Sequence, residues 1–307
     1  MAETKRNNKY LKYHIIALFT VIVWGTTFIS TKVLINQSLS PTEIFFYRFL
    51  LAYISIWFFS PRIIWSKSYK DEFLFFLLGL CGGSLYFITE NTALGITLAS
   101  NVSLILCTTP VLTAFLSSLI FKKDRLTRNL VYGSLVAIIG VVLVVFNGNF
   151  ILKINPLGDF LTILAAFSWA FYSLILKRLE SHYSTLYITR KVFFYGVLTL
   201  VPLLYFEPIS FKTEILFHPV VLLNVLFLGL VASLLCFFTW NLAVKELGVV
   251  RATNYIYVIP LVTLITSAVV LDEKITLIAA LGSVCILLGV YVAENGMKIR
   301  KPKKHFT

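Results

Sequence analysis

The chain is short of charge. Asp, Glu, Lys and Arg make up only 13% of its 307 residues, where a soluble domain carries about 25%, so water is not its main solvent. Acidic residues are the scarcest, 14 against 27 Lys and Arg, for a net charge of +13. Intrinsic disorder requires low hydrophobicity, and a hydrophobic content of 58% excludes it. Nucleic acid is not an expected partner either, because in so apolar a chain a basic excess marks the loops on one face of a membrane. Cysteine is sparse: Cys81, Cys107, Cys236 and Cys285 all fall in apolar runs with no CxxC spacing. They read as small buried hydrophobes, not as disulfides or metal ligands. His14, His182, His218 and His305 are scattered and form no HExxH, so no zinc site is expected. The phosphate-cradling patterns GxxxxGKS and GxxxxGKT are missing, and no Ser/His pair or paired Asp lies within an apolar run. The expectation is therefore no ATP hydrolysis, no cofactor and no enzyme activity.

Long apolar runs fill the rest. A bilayer core about 30 Å thick needs about 20 helical residues, and ten stretches approach that length: Ile15–Ile35, Thr42–Ser60, Phe73–Leu94, Ala99–Phe121, Leu130–Phe146, Phe160–Leu176, Leu186–Phe206, Val220–Val244, Ala252–Leu271 and Thr276–Ala293. Turn-forming clusters separate them, among them Asn36 to Pro41, Ser60-Pro61-Arg62, Asn147-Gly148-Asn149 with Asn155-Pro156, and His218-Pro219. The first run follows a basic start, as a signal peptide would. It is too long, carries Trp24 and Lys32, and lacks a small-residue cleavage site, so it reads as a retained span. With the amino terminus inside, nearly all Lys and Arg fall on the cytoplasmic face and only Lys153, Lys212 and Lys274 fall outside. Both termini are expected to be cytoplasmic. The basic tail from Lys298 to Lys304 fits that topology.

The two halves repeat. Gly79, Phe87, Thr89, Asn91, Ala93, Pro110, Thr113 and Ser117 match Gly229, Phe237, Thr239, Asn241, Ala243, Pro260, Thr263 and Ser267 in one ungapped register. Gly133, Ser134 and Gly140 match Gly282, Ser283 and Gly289 after one residue of slippage, and Trp24 and Lys32 match Trp169 and Lys177. Five spans per half is an odd number, so the second copy enters the membrane from the opposite side. The expected fold is an all-α membrane protein of ten transmembrane helices, two inverted five-helix repeats around a central cavity. Its parts are a basic cytoplasmic start (1–14), the first repeat (15–147), an external linker (148–157), the second repeat (158–293) and a basic cytoplasmic tail (294–307).

The segment Trp24-Gly25-Thr26-Thr27-Phe28 running to Lys32, then Pro41 to Arg48-Phe49-Leu50, Thr89 to Pro110, and Ala165-Ala166-Phe167-Ser168-Trp169-Ala170 to Lys177-Arg178 together resemble the signatures of EamA-type permeases of the drug/metabolite transporter superfamily. The resemblance covers nearly the whole chain. It implies a five-plus-five inverted repeat, a central cavity and movement, often export, of small metabolites in a bacterial inner membrane. It implies no particular cargo.

Three charges, Lys32, Arg48 and Glu90, lie within spans, each costing about 2.5–3.5 kcal/mol at a span centre. Either Lys32 and Arg48 bind a substrate carboxylate or phosphate and Glu90 carries a coupling proton, or they form a structural ion pair with Lys32 snorkelling. Glu43 could join the cluster. Trp24, Phe28 and Lys32 share one helical face, as do Tyr86 and Glu90, and Trp169, Ser173 and Lys177 mirror the first set. Asn91, Tyr172, Trp240, Asn241, Asn254 and Tyr257 complete the candidate lining, with helix packing as the alternative role. Trp57, Trp65 and Tyr69 read as interfacial aromatics. Pro110 and Pro260 are mid-span kinks, serving either as hinges or as fixed packing geometry, and the paired glycines read as helix-packing seams. The function expected is a secondary transporter, an exporter of small organic metabolites such as amino acids by alternating access. A nucleotide-sugar or phosphate-ester exchanger is the alternative, with a channel or intramembrane enzyme behind it. Its partners are a small-molecule substrate and the lipid bilayer, and it acts as a monomer or homodimer.

Overall fold

A computed structural model describes residues 2–61, 65–97, 99–121, 127–146, 155–209, 213–271 and 276–295. Among them all regular structure is helical. Lys153, Lys212, Lys274, the basic tail from residue 296 and most of the 148–157 linker lie outside the described residues. The principal helices are α1 (Ala2–Asn36), α2 (Pro41–Ile56), α3 (Tyr69–Ile96), α4 (Ala99–Leu106), α5 (Thr109–Ile120), α6 (Arg128–Phe146), α7 (Pro156–Leu179), α8 (Thr185–Phe206), α9 (Pro219–Leu247), α10 (Val249–Thr253), α11 (Ile259–Leu271) and α12 (Leu277–Asn295). Seven helical runs among the described residues are long and apolar enough to cross a membrane. Arg128–Val144 and Leu277–Ala293 are apolar but shorter, and α2, with 16 residues, spans about 24 Å.

The starts of these helices are written locally. Ser40 and Glu43 form a reciprocal capping box ahead of Pro41 at the first turn of α2, which accounts for Glu43 as a cap. Ser68, Asn155 and Ser184 accept from the backbone amides of Asp71, Gly158 and Tyr187 in the same way. Gly248 ends α9 at φ 89, in the left-handed region, where a side chain would be strained.

Two expected spans are interrupted. The run expected at Ala99–Phe121 breaks between α4 and α5, and that at Ala252–Leu271 contains a 3-10 segment, Asn254–Val258, before α11. Pro110 is therefore in the first turn of α5 and Pro260 in the first turn of α11, each just past a local change of helix geometry inside the longer apolar runs Val102–Ile120 and Val249–Thr266. Proline restricts the residue before it and has no N–H to give the preceding turn, so the helix re-forms with proline at its start.

Two further irregularities were not legible as such. α3 contains a π-helical turn at Leu80–Ser84, and α9 one at Phe227–Leu235. These segments occupy matching positions in the repeat register. Each lends a carbonyl to a side chain of another helix: Trp24 Nε1 donates to Ala232 O at 3.0 Å and Ser168 Oγ to Cys81 O at 2.8 Å. A π turn leaves carbonyls short of their usual partners, and these side chains supply them.

The packing also follows the register. Gly79 of α3 lies against Tyr195 of α8, and Gly229 of α9 against Leu51 of α2. α6 and α12 make the most extensive helix pair. Gly133 touches Gly289 and Ala293, while Gly140 touches Gly282 and Ile286, backbone against backbone, as small residues allow. The outward faces of this pair expose Leu135, Ile139, Leu281, Leu287 and Leu288, apolar surface suited to lipid.

Candidate functional site

Charge and aromatic groups converge inside the bundle. Arg48 from α2, Tyr86, Phe87 and Glu90 from α3, Trp24, Thr27 and Phe28 from α1 and Trp169 from α7 line one cavity. Leu106, Thr109, Ile256 and Ile259 close it. The last four come from the two interrupted spans, so the breaks before Pro110 and Pro260 sit at the cavity wall. Its volume is about 40 Å³, room for about three waters.

Arg48 is 2% exposed. Its Nε donates to Ser233 Oγ at 2.9 Å, and its guanidinium lies 4.1 Å from the centre of the Phe87 ring, an attractive cation–π placement. Glu90, also buried, accepts from Tyr86 Oη at 3.0 Å. The two charges thus share the cavity, each held by a neutral partner. Among the described residues no further hydrogen bond takes the remaining Arg48 donors or the second Glu90 oxygen, which leaves both for a third group.

The wall is an aromatic lattice. Trp24 meets Trp169 edge-on at 5.2 Å and Trp240 at 5.0 Å, and Trp169 contacts Tyr86 at 5.0 Å and Tyr172 at 4.8 Å. Phe237 touches Trp24, Trp169 and Tyr172. Trp24 is fixed by its bond to the π turn, whereas Trp169 Nε1 is buried with no hydrogen-bond partner among the described residues.

Of the candidates read from sequence, Trp24, Arg48, Tyr86, Glu90 and Trp169 come together here. Lys32 does not. Its Nζ donates to Leu94 O at 2.6 Å, placing a cation on a carbonyl in the last turn of α3, so the expected Lys32–Arg48–Glu90 cluster does not form. Asn91 donates to Pro41 O at 3.3 Å. Asn241 accepts from Tyr172 Oη at 2.5 Å and donates to Thr189 Oγ1 at 3.0 Å. These repeated asparagines, with Tyr172, join helices, and Trp240 is fully buried behind Trp24. Asn254 and Tyr257 are fully buried in the 3-10 segment beside the cavity-lining Ile256. Pro110 directly follows Thr109, and Pro260 directly follows Ile259.

Thr27, Phe87, Thr109, Ser233 and Ile256 were not singled out from sequence for the site, whereas Phe28 was. Phe28 shares the Trp24 face, and Phe87 carries a repeat match to Phe237. For Ser233 no sequence signal exists, because only tertiary packing brings α9 to Arg48.

One end of the bundle is tied by polar groups. Lys191 Nζ of α8 lies 2.5 Å from Glu72 Oε1 of α3, which also accepts from Tyr195. Tyr183 Oη donates to Asp71 at 2.8 Å, and Arg190 Nη1 donates to Ser60 O at 2.6 Å while stacking on Trp57. Trp57 is therefore an arginine partner, unlike Trp65 and Tyr69, which are 82% and 96% exposed. Near the junction of α1 and α2 the cover is instead apolar: Leu34, Leu39, Ile44, Val221 and Leu228.

The model of the EamA-like transporter family matches the chain twice, at residues 11–146 and 156–294. An uncharacterized transporter of Archaeoglobus fulgidus is 28% identical over 92% of this chain and 96% of its own. A probable amino-acid metabolite efflux pump of Escherichia coli is 26% identical over 94% of this chain and 97% of its own, and one of Salmonella typhimurium is 28% identical over 93% and 96%. A solved crystal structure shares the fold, with a TM-score of 0.69 over 92% of this chain and 96% of that one at 19% identity. With the family matched across both halves and its relatives named as transporters, the chain belongs to the EamA-like transporter family, a family of multi-pass membrane transporters.

Proposed function

We propose that this protein is a secondary transporter that exports amino acids or closely related zwitterionic metabolites across a bacterial inner membrane by alternating access, with both termini cytoplasmic. The observation that carries the reading is the pairing of Arg48 and Glu90 in one cavity walled by Trp24, Phe28, Tyr86 and Trp169. A guanidinium offers donors to a carboxylate, Glu90 offers an acceptor to an ammonium, and tryptophan faces attract the same ammonium. Lys32 is committed to Leu94 O, which leaves Arg48 as the one cation lining the cavity among the described residues and favours a single carboxylate over a phosphate ester. The efflux-pump relatives of Escherichia coli and Salmonella typhimurium point to the same chemistry.

The architecture proposed for this activity is ten spans in two inverted five-helix repeats, divided near residues 148–157. Matching π turns, matching breaks before Pro110 and Pro260, and equivalent contacts at Gly79 and Gly229 support it. So does the double match of the family model. A cavity of about 40 Å³ is too small for a metabolite, so cargo enters only when the walls part, and the breaks flanking the cavity are where the halves would rock. The test is counterflow in proteoliposomes with labelled amino acids. Saturable uptake accelerated by internal unlabelled amino acid is expected, with its pH dependence abolished in Glu90→Gln. Flux that neither saturates nor responds to internal solute would refute the carrier reading.

A further inference from the structure

A second opening lies away from the central cavity. Where α3 begins and α7 ends, Tyr69, Lys70, Phe73, Leu74 and Arg178 surround an open cleft of about 420 Å³. Two observations point to a place for it at the membrane surface. Tyr69 and nearby Trp65 are among the most exposed aromatics, and such residues mark the headgroup level. The apolar side chains then continue along α3, where Phe73, 60% exposed, stacks with Phe76 at 6.2 Å. The cleft is therefore basic at its mouth and greasy along the direction of the bilayer.

The carboxylates next in sequence, Asp71 and Glu72, are turned toward α8 and do not line the cleft, so the charged groups of its lining are both cations. Asp71 accepts from Tyr183, and Glu72 from Lys191 and Tyr195, all on α8 or the turn before it. Among the described residues Lys70 and Arg178 have no carboxylate partner, and both are exposed. Two cations from two helices over an apolar strip match an amphiphile with an anionic head, and basic pockets between spanning helices hold such headgroups. We propose that this cleft seats an anionic phospholipid, its phosphate between Lys70 and Arg178 and an acyl chain along Phe73 and Phe76. Bound there, the lipid would bridge α3 and α7, which both reach the central cavity.

The test is native mass spectrometry of the full chain released from vesicles of equimolar phosphatidylglycerol and phosphatidylcholine. Two cations at an anionic interface correspond to a preference of about 30-fold for the anionic lipid. The K70Q/R178Q double variant should fall to nearly equal retention, K70R/R178K should keep the preference, and Phe73→Ser should retain less of both lipids. Because these side chains are exposed, the variants are expected to remain monodisperse. Equal retention by the wild type, or an undiminished preference in K70Q/R178Q, would overturn the site. Displacement of phosphatidylglycerol by millimolar glycerol phosphate as effectively as by added lipid would overturn the lipid assignment, since it would make the acyl chain irrelevant.

Discussion

Substituting Gly289 by alanine should destabilise the protein, whereas the same substitution at Gly95 should not. A Cβ on Gly289 would lie 2.4 Å from Ala137 N, 2.6 Å from Gly133 O and 2.8 Å from Ala137 Cα, all backbone atoms. Ordinary contact begins near 3.4 Å, so α6 and α12 must part by about 1 Å (3.4 − 2.4) along a seam that Gly133, Gly140 and Gly282 also hold closed. Overpacking costs about 1–3 kcal/mol. A clash with backbone belongs at the upper end, because no side-chain rotamer can relieve it. Removing a helical glycine returns about 1 kcal/mol, leaving a net loss of about 2 kcal/mol. At Gly95 no atom of the described residues outside its own turn of helix lies within 4 Å of the added Cβ, so only the favourable propensity remains. Thermal unfolding of both variants in one detergent measures the contrast. The double variant Gly133→Ala/Gly289→Ala should lose less than the sum of the singles, since the first substitution has already parted the helices. Equal stabilisation of Gly289→Ala and Gly95→Ala would refute the seam.

Replacing Arg48 by glutamine should erase discrimination between an amino acid and its decarboxylated amine, because charge-assisted bonds worth about 1.5–3 kcal/mol are lost; transport competition should move by about 10- to 100-fold, and an unchanged ratio would place the carboxylate elsewhere. Glu72→Gln removes a pair whose side chains are 14% and 27% exposed, worth no more than about 1 kcal/mol. It should raise hydrogen exchange across residues 69–76 and 187–195 by up to about fivefold, with no change at α6 and α12. Glu180, at the end of α7, is pushed up to about 8, first by burial and then by Glu246, against the pull of Lys177 and Lys245. Its folded pKa lies above the unfolded value near 4.5, so between these pH values the folded protein holds a proton that the unfolded chain has released, and stability falls as pH rises. Melting curves from pH 4.5 to 8 should show this slope, and Glu180→Gln should flatten it.

Much of the site was legible because few residues can be polar in lipid. Arg48 and Glu90 stood out against apolar runs, and Trp24 and Trp169 were marked by duplication as well as by type. Lys32 stood out equally, and its assignment to the same cluster failed for a reason sequence cannot express: the tertiary fold sets its ammonium on the Leu94 carbonyl at the end of α3. The polar tie at Glu72, Lys191 and Arg190 was obscured because basic residues near span ends already have a topological explanation.

The sequence by itself determined the solvent of this protein, its helical class, the doubling of its halves and the caps that start its helices. These follow from hydrophobicity, spacing and short-range hydrogen bonding, all of which act within a few turns of chain. Tertiary structure decided which charges meet, where the helices loosen into π and 3-10 turns, and how little space remains between the aromatic walls. Those features depend on contacts such as Arg48 with Ser233, Trp24 with Ala232 and Tyr172 with Gly82. Each joins residues far apart in the chain, so no local pattern encodes them.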